Sequence, residues 1–423
     1  MAQDLIPFDA FFQSLQKVQM ASVAGPSAKV TSADKFEEMR KFLIGHYQGM
    51  AVHHSFMDED GQIWDCVPVD QQPSLKNTGK KAATAPDMPS PEDMPHTGAA
   101  EKTTEIVAQL SSDKKDRHGN ALYCPPGSIP IRRVTLEEMS RFETLDRYFH
   151  KSPFGEGGHP RHGGGKKLLE KDTIASAVPA THKYAHAYQS VPNLGGHSFL
   201  SVWQPPIGSN QIFSLSQHWY VGGSGARLQT VECGWQVYPG KYNTSKPCLF
   251  IYWTADGYNH TGNYNLDKAA FVQTNHAYTI GGSLSPVSIY NGAQYELEYA
   301  WYLYKGNWWL YLRGTSAAQA IGYYPTSLFA GGQMASFAQE IDYGGEVVGT
   351  TSWPPMGSGH FAAESFGKAA FHRNIYYYPT TGGAINAKLT ASQPSPACYK
   401  INVLSGGSWN PYFYFGGPGG TGC

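Results

Sequence analysis

The 423-residue sequence lacks several features that would define common protein classes. Its 32 Lys and Arg are balanced by 33 Asp and Glu, so the basic excess of a nucleic-acid-binding protein is missing. It has no apolar run of the length that a transmembrane helix requires. Neither a His-Glu-x-x-His zinc motif nor a Gly-x-Ser-x-Gly nucleophile motif occurs. We therefore expect no metal, no cofactor and no serine nucleophile.

Charged and aromatic residues divide the chain into two parts. Residues 1–181 hold 45 of the 65 charged side chains, and residues 182–423 hold only 20. The aromatic residues show the opposite distribution, with 44 of the 57 Phe, Trp and Tyr after residue 181. An average globular protein has about 25% charged residues throughout. This difference predicts two domains with separate roles.

The first part, residues 1–150, is predicted to be a smaller α+β domain. Apolar periodicity and a capping serine, Ser32, indicate three helices, and alternation indicates two strands. The predicted elements are Phe8–Leu15, Lys35–Tyr47, Leu136–Phe149, Ala51–Phe56 and Gln62–Val67. Residues 76–120 are rich in Pro, Lys, Asp and Ser, which predicts a loop or a disordered excursion. Residues 151–181 are rich in glycine and predict an exposed linker with a processing site.

Residues 182–423 are predicted to form an antiparallel β-sandwich, resembling a jelly roll. Short alternating segments separated by Gly, Pro and Asn are typical of such folds. The predicted strands are Ser198–Trp203, Ile212–Val221, Thr230–Tyr238, Leu249–Thr254, Gln294–Tyr304 and Trp308–Arg313. Lys305-Gly306-Asn307 is predicted to be the turn of a hairpin.

The second part contains only nine acidic residues, so candidates for acid–base chemistry are few. Strand alternation places Glu232 on one face with Gln236 and Tyr238, opposite an apolar face. Glu346 shares a face with Gly344, whose small size allows a ligand to approach closely. A sheet face with a carboxylate beside glycine and amide groups is suited to a substrate groove. Both glutamates also fit an alternative interpretation as solvated surface residues.

Two rival carboxylates, Glu296 and Glu298, alternate strictly within their predicted strand. This pattern favours a solvent-exposed face of the strand over a catalytic site.

The sequence resembles the neprosins, a family of glutamic peptidases with an N-terminal activation domain. Similar stretches in the second part are Ser214–Trp219, Val231–Pro239, Tyr252–Tyr258, Thr261–Asn265, Gly344–Val348, Met356–His360 and Gly416–Gly420. Similar stretches in the first part are His53–Phe56, Gly61–Cys66, Gln72–Leu75 and Cys124–Arg133. The sequence departs from the plant members at Asn263 and Lys268, where those members tend to have cysteines, so that local disulfide is absent.

The resemblance implies a β-sandwich peptidase whose catalytic pair is Glu232 and Glu346, with Glu340 as the second choice for the latter. It also implies cleavage after proline at acidic pH and an N-terminal domain that inhibits the enzyme until it is removed. Two adjacent carboxyls share one proton more readily than they both ionise, so one can act as acid and the other as base. Gln217 or Gln236 are candidates to stabilise the oxyanion, and Tyr238 is a candidate groove residue.

Six cysteines allow 15 pairings. The preferred set joins Cys66 to Cys124 in the activation domain, Cys398 to Cys423 at the C-terminus, and Cys233 to Cys248 across a hairpin. An even number of cysteines suits a secreted protein. The sequence begins without a signal peptide, and we expect that a leader has been removed.

Two other classes of protein remain open from the sequence. A glycoside hydrolase also uses two carboxylates on a jelly-roll groove, and a long separation between Glu232 and Glu346 would favour it. A carbohydrate-binding cell-wall module would need no carboxyl pair and no activation segment.

Overall fold

The computed structural model describes residues 4–89 except 24 and 26, residues 102–151 except 107, residue 161, and residues 180–423. Most of the predicted linker therefore lies outside the described residues. The helices are α1 Phe8–Leu15, α2 Met20–Val23, α3 Ala33–Tyr47, α4 Leu136–Ser140, α5 Leu145–Phe149 and α6 Pro239–Tyr242. None of these described helices is long and apolar enough to cross a lipid bilayer.

The strands account for most of the regular structure. They are β1 His54–Met57, β2 Ile63–Pro68, β3 Thr103–Glu105, β4 Ser111–Lys115, β5 Ala121–Leu122, β6 Ser128–Arg132, β7 Thr181–Ser201, β8 Gln211–Gly222, β9 Gln229–Val237, β10 Cys248–Thr254, β11 Asn263–Tyr264, β12 Val272–Gln273, β13 Gln294–Tyr304, β14 Asn307–Leu312, β15 Ala320–Pro325, β16 Ala338–Gly349, β17 Ala370–Pro379, β18 Ile385–Asn386, β19 Thr390–Ser392, β20 Lys400–Leu404 and β21 Tyr412–Gly416.

One large sheet dominates the described structure. Its main path runs β11-β10-β9-β8-β16-β7-β13-β14-β15-β12, and β17, β19 and β21 join through the long strand β7 or its neighbours. The pairs on this path are antiparallel. The predicted mainly-β class is therefore confirmed. The six strands predicted for the second part overlap β7, β8, β9, β10, β13 and β14, although three of the predictions run one or two residues past the end of the strand.

The predicted hairpin turn between β13 and β14 is confirmed. Lys305 and Gly306 both adopt positive φ angles, 46° and 75°. A two-residue turn of this kind matches the twist of the strands that it joins. Glycine at the second position accepts the left-handed conformation without steric cost.

The helix predictions were right at one end of the domain and wrong at the other. Helix α3 begins behind Ser32, whose side chain accepts a hydrogen bond from the Lys35 amide, as predicted. The single helix predicted for residues 136–149 was wrong, because the segment forms α4 and α5. Thr144 caps a new helix by accepting from the Arg147 amide, so the chain restarts rather than continues.

The loop predicted for residues 76–120 was wrong in part. Strand β3 pairs in parallel with residues 294–296 of β13. These residues precede the part of β13, residues 299–304, that pairs with β14. Met88 and Ile106 are buried apolar residues. Few apolar residues mark this segment in the sequence, since its ordering comes from backbone pairing with a strand almost 200 positions away. The first part of the chain thus contributes a strand to the main sheet.

Both faces of the central strands are buried, whereas alternation had predicted one open face. All nine residues of β9 and all seven of β10 are buried. The first part of the chain covers the face that had been assigned to the groove. The Tyr148 carbonyl accepts from Lys241, and the Phe142 ring packs edge-on against Tyr238.

The predicted disulfides are found for two of the three pairs. Cys66 is bonded to Cys124, and Cys398 to Cys423. The predicted pair of Cys233 with Cys248 was wrong, because both are free thiols. They lie on the adjacent strands β9 and β10, but the register places Cys233 opposite Ile251 and Cys248 opposite Gln236. Burial raises the pKa of both thiols.

We expect two free thiols per chain, both unreactive in the folded protein. Alkylation without reductant should label Cys233 and Cys248 only after denaturation, because burial excludes the reagent and disfavours the thiolate. Peptide mapping by mass spectrometry gives the measurement, with the four bonded cysteines as internal controls. A disulfide-linked peptide containing Cys233 and Cys248 would contradict this connectivity.

Candidate active site

The two candidate glutamates lie two strands apart and converge diagonally. Glu232 on β9 is in register with Trp219 on β8 and with Asp342 on β16. Glu346 on β16 lies two rows away, in register with Leu215 and, across β8, with Gln236. The row between them contains Gln217, flanked by Gly234 and Gly344. The diagonal therefore crosses a row with a single large side chain.

The two glycines of this middle row are required by the backbone. A Cβ atom on Gly234 would lie 1.9 Å from the Ser216 carbonyl oxygen. A Cβ atom on Gly344, which has a φ of 147°, would lie 2.5 Å from the Ala185 carbonyl oxygen. Both distances are shorter than any van der Waals contact allows. The glycines thus permit close strand approach and leave space for the glutamate side chains above them.

A buried lysine at the first position of the predicted linker joins the two glutamates. Lys151 Nζ lies 2.6 Å from Glu232 Oε2 and 2.8 Å from Glu346 Oε2. It also donates to Gln217 Oε1 at 2.9 Å. All four residues are at most 3% exposed. Since one nitrogen atom contacts both carboxylates, the two Oε2 atoms are no farther apart than the sum of the two distances.

Hydroxyl groups hold the other oxygen of Glu232. Its Oε1 accepts hydrogen bonds from Tyr258 Oη at 2.6 Å and from Thr230 Oγ1 at 2.8 Å. Burial, together with the nearby Glu232 charge, raises the pKa of Tyr258 well above its usual value. The phenol therefore stays protonated and acts as a donor.

An imidazole and an amide hold Glu346. Its Oε1 lies 2.5 Å from His182 Nδ1, and its Oε2 accepts from Gln217 Nε2 at 2.9 Å. An ionised carboxylate can only accept, so the His182 ring donates. Burial by itself would raise the pKa of Glu346, but Lys151 and His182 outweigh it. The result is a pKa lowered from 4.5 to about 2.

Aromatic side chains surround the lysine that reaches the pair. Lys151 Nζ lies 5.4 Å from the centre of the Trp219 ring and 5.8 Å from that of Phe250. The Tyr252 hydroxyl accepts from the Lys151 backbone amide at 3.3 Å. These contacts fix both the backbone and the head group of the lysine. The site thus has apolar walls around a charged centre.

The structure brings together three of the predicted site residues, Glu232, Glu346 and Gln217. The interpretation of the two glutamates as solvated surface residues was wrong, because the first part of the chain buries them. Gln236 donates to the Tyr264 hydroxyl and, among the described residues, has no hydrogen bond to either glutamate. Tyr238 is buried between the rings of Phe142 and Phe213.

The other predicted carboxylates have different surroundings. Glu340, the second choice, is buried six positions before Glu346 and accepts from Ser190 and Arg161. Glu296 was expected to face solvent but is buried and pairs with Arg373. Glu298 is paired with His197.

Sequence reasoning missed Lys151, His182 and Tyr258. Tyr258 lies within the stretch Tyr252–Tyr258 that resembles the neprosins, so the resemblance contained a signal for it. Lys151 and His182 stand at the two ends of the predicted linker and carry no periodic or motif signal. Only the fold shows that Lys151 and His182 meet at the glutamate pair.

Comparison with known proteins gives a family-model match in the second part of the chain. Residues 210–418 match the family model described as Neprosin. This match confirms the predicted resemblance and supports a peptidase.

Solved structures of glutamic peptidases are also similar to this chain. Scytalido-glutamic peptidase with a transition state analog inhibitor aligns at 6% identity and a TM-score of 0.31, covering 56% of this chain and 98% of that chain. SCP-B, a member of the Eqolisin family of peptidases in a complex with the tripeptide Ala-Ile-His, aligns at 7% identity and a TM-score of 0.28, covering 56% and 98%. At these TM-scores the similarity carries no further argument.

We expect the Lys151 contact to appear in the pH dependence of stability. The lowered pKa of Glu346 stabilises the folded chain above pH 4.5, and that contribution is lost as the pH falls towards 2. The loss is about 3 kcal/mol over this range. In Lys151→Met the two buried carboxyls repel one another, so their protonation should stabilise the variant as the pH falls.

Thermal unfolding midpoints at pH 3, 5 and 7 measure this difference. Lys41→Met, at an exposed lysine, is the matched control and should follow the unsubstituted chain. Identical pH slopes for Lys151→Met and the control would contradict the assigned contact.

Proposed function

We propose that the chain is a latent glutamic endopeptidase that cleaves preferentially after proline at acidic pH. The observation that carries the proposal is the meeting of Glu232 and Glu346 at one buried nitrogen, Lys151 Nζ. Within this proposal, residues 1–150 are the activation domain, residues 151–181 the linker that is processed, and residues 182–423 the peptidase domain.

Removal of Lys151 would convert the site from an ion cluster into a carboxyl pair. Without the ammonium group, two neighbouring carboxylates raise one another's pKa, and one of them keeps a proton at acidic pH. The space left by the lysine head group lies between both Oε2 atoms and Gln217. A water molecule and a peptide carbonyl there would contact an acid and a base together.

The hydrogen bonds suggest how the two roles divide. The imidazole and amide donors around Glu346 favour its ionised form, whereas neutral hydroxyls surround Glu232. We assign Glu346 as the base that takes a proton from water and Glu232 as the acid that donates to the peptide carbonyl. The water oxygen adds to the carbonyl carbon and gives a gem-diol. The proton held by Glu346 then passes to the leaving amine as the C–N bond breaks, and one hydroxyl of the gem-diol returns its proton to Glu232 as the carboxylic acid forms.

Gln217 is placed to stabilise the tetrahedral intermediate. Its Nε2 donates one hydrogen to Glu346 and its Oε1 accepts from Lys151 Nζ, so the second amide hydrogen is the candidate donor to the intermediate once the lysine has left. A donor aimed at a developing oxyanion contributes about 3–4 kcal/mol to catalysis. Burial of the site increases this contribution, because water does not compete for the charge.

A preference for proline is supported by the walls around Lys151. The lysine head group lies 5.4 Å from the centre of the Trp219 ring and 5.8 Å from that of Phe250, and a proline ring is a compact apolar group that suits the space beside these rings. The neprosin resemblance points to the same specificity.

Latency is supported by the way the first part of the chain delivers Lys151. Helix α5 ends two residues before it, and the Tyr148 carbonyl of that helix accepts from the buried Lys241. Gln72 adds a second attachment, because its amide exchanges two hydrogen bonds with the Gln273 backbone. Cleavage within residues 151–181 would break the covalent link between the first part of the chain and the peptidase domain. The two disulfides suit a secreted protein.

The geometry gives less support to the alternatives. The long carboxyl separation that would have favoured an inverting glycoside hydrolase, about 6.5–9.5 Å, is not found between Glu232 and Glu346. A carbohydrate-binding module would have no need for a buried acid pair blocked by a cation. The family match also favours a peptidase.

Substituting either glutamate by glutamine should abolish peptidase activity without unfolding the chain. Glu232→Gln and Glu346→Gln remove the acid or the base, and each loss should lower kcat by about 10²–10⁴. Acid-incubated full-length protein is assayed on a denatured protein at pH 3 and pH 7, and mass spectrometry reads the cut sites.

Glu364→Gln, at a carboxylate paired only locally with His360 and Tyr290, is the matched control. Cuts should follow proline at pH 3 in the unsubstituted and control proteins. Normal turnover by either dyad variant would rule out the assigned pair.

Lys151→Ala should make the uncleaved full-length chain active. The substitution removes the ammonium group that lies between Glu232 and Glu346, while the first part of the chain stays attached. A short proline-containing fluorogenic peptide at pH 5 measures activity, and a gel confirms that the chain remains intact. Lys41→Ala, an exposed control, should stay as inactive as the unsubstituted chain. An inactive but folded Lys151→Ala protein would count against inhibition by this residue.

A further inference from the structure

A third buried glutamate, Glu340, lies farther along the sheet face that holds Glu232 and Glu346. Glu340 on β16 is in register with Ser190 on β7, and its Oε2 accepts from Ser190 Oγ at 2.7 Å. The preceding residue on the same face of β7 is Tyr188, in register with Asp342. Glu340 is completely buried. It does not touch the reacting centre and has no part in the mechanism above.

A guanidinium group from the linker occupies this position. Arg161 Nε lies 3.2 Å from Glu340 Oε2, and its Cζ lies 3.4 Å from the centre of the Tyr188 ring. A carboxylate at the edge and an aromatic ring on the face are the two surfaces that a guanidinium group prefers. The Arg161 side chain is 31% exposed, whereas that of Glu340 is 0% exposed. The position therefore opens outward from a buried acid.

The linker thus places two basic side chains on three buried glutamates of one face. Lys151 occupies the dyad and Arg161, ten residues later, occupies Glu340. Lys151 stands where the proposed mechanism puts the substrate. By the same logic, Arg161 stands where a neighbouring substrate side chain would bind.

The sheet register gives the spacing between the two positions. Glu340 is in register with Val221 on β8, four residues after Gln217. Four residues of strand correspond to about 13 Å. An extended peptide covers that distance with about four residues.

We propose that Glu340, Tyr188 and Ser190 form a subsite for a basic side chain of the substrate. The basic residue, preferably arginine, would lie three to five positions from the cleaved bond. This inference rests on the proposed peptidase function and adds to it a second element of specificity. Cleavage of the linker after Arg161 removes the cation that this residue supplies, and a basic side chain of the substrate would take its place beside the buried carboxylate. Arginine fits better than lysine because its planar group can both stack and pair.

Matched peptides test the subsite without altering the protein. Each fluorogenic peptide contains one proline and, four positions away on either side, arginine or its neutral isostere citrulline. The enzyme is the acid-incubated full-length protein, assayed at pH 5. We expect kcat/KM to be at least tenfold higher for the arginine peptide on one side, mainly through a lower KM. Equal values for arginine and citrulline on both sides would overturn the proposal.

A variant then assigns the preference to Glu340. Glu340→Gln should reduce the arginine peptide to the level of the citrulline peptide and leave the citrulline peptide unchanged. Glu364→Gln, outside this face, should keep the full preference. An arginine preference that persists undiminished in Glu340→Gln would also overturn the proposal. If that variant does not fold, the peptide comparison in the unsubstituted enzyme still decides the outcome.

Failure of this inference is distinguishable from failure of the proposed function. An enzyme that cleaves both peptides equally after proline is a peptidase without the basic subsite. A protein that cleaves neither peptide, including after acid incubation, is not the proposed peptidase, and the subsite falls with it.

Discussion

The contact of Lys151 with two glutamates is the interaction on which the rest of the described structure depends. It places one positive and two negative groups in the interior, where desolvation is expensive unless every charge is paired. Removing one partner from such a buried cluster typically costs about 3–5 kcal/mol. The cluster is therefore stable only while the first part of the chain stays in place. Within the proposed function, this dependence accounts for latency, because the inhibited arrangement would be the folded arrangement itself.

The sheet creates this arrangement from the register of three strands. Glu232 and Glu346 are two strands and two rows apart, too far for adjacent side chains of an ordinary sheet to meet. They converge because Gly234 and Gly344 leave the intervening row without bulk on either side of Gln217. The space above these two glycines also accommodates the head group of Lys151. The glycines, the amide and the two acids thus form one unit, and the function of each depends on the positions of the others.

Strand positions were predictable from the sequence because alternation and turn residues are local signals. β13 was located to the residue, and the turn at Lys305 and Gly306 followed from its composition. Burial was less predictable. Glu232 was assigned to an open face, because nothing in β9 itself shows that another part of the chain covers it. The same limit applies to β3 and to the free thiols, whose surroundings depend on register between distant segments. The glutamate pair was accessible through the family resemblance, but the lysine between them was not.

Two groups with lowered pKa values, His46 and Glu346, make the stability of the folded chain depend on pH. Burial lowers the pKa of His46 on α3 from 6.5 to about 4, with Asp267 opposing the shift and Lys76 adding to it. As the pH falls from 6.5 to 4, an unfolded histidine takes up a proton that the folded state resists, so the folded arrangement loses stability. The lowered pKa of Glu346 acts in the same direction between 4.5 and 2.

Both groups lie where the first part of the chain meets the second. His46 borders a cavity that is also lined by Asn265, Leu266 and Asp267, and Glu346 contacts Lys151. Within the proposed function, acid would weaken the attachment of the first part of the chain, because both groups lose their stabilising contribution as the pH falls. An acidic pH that released Lys151 would also be a pH at which a carboxyl pair can hold a single shared proton. Exposure of the proposed site and the protonation state that the proposed mechanism needs would then follow from the same change in the solvent.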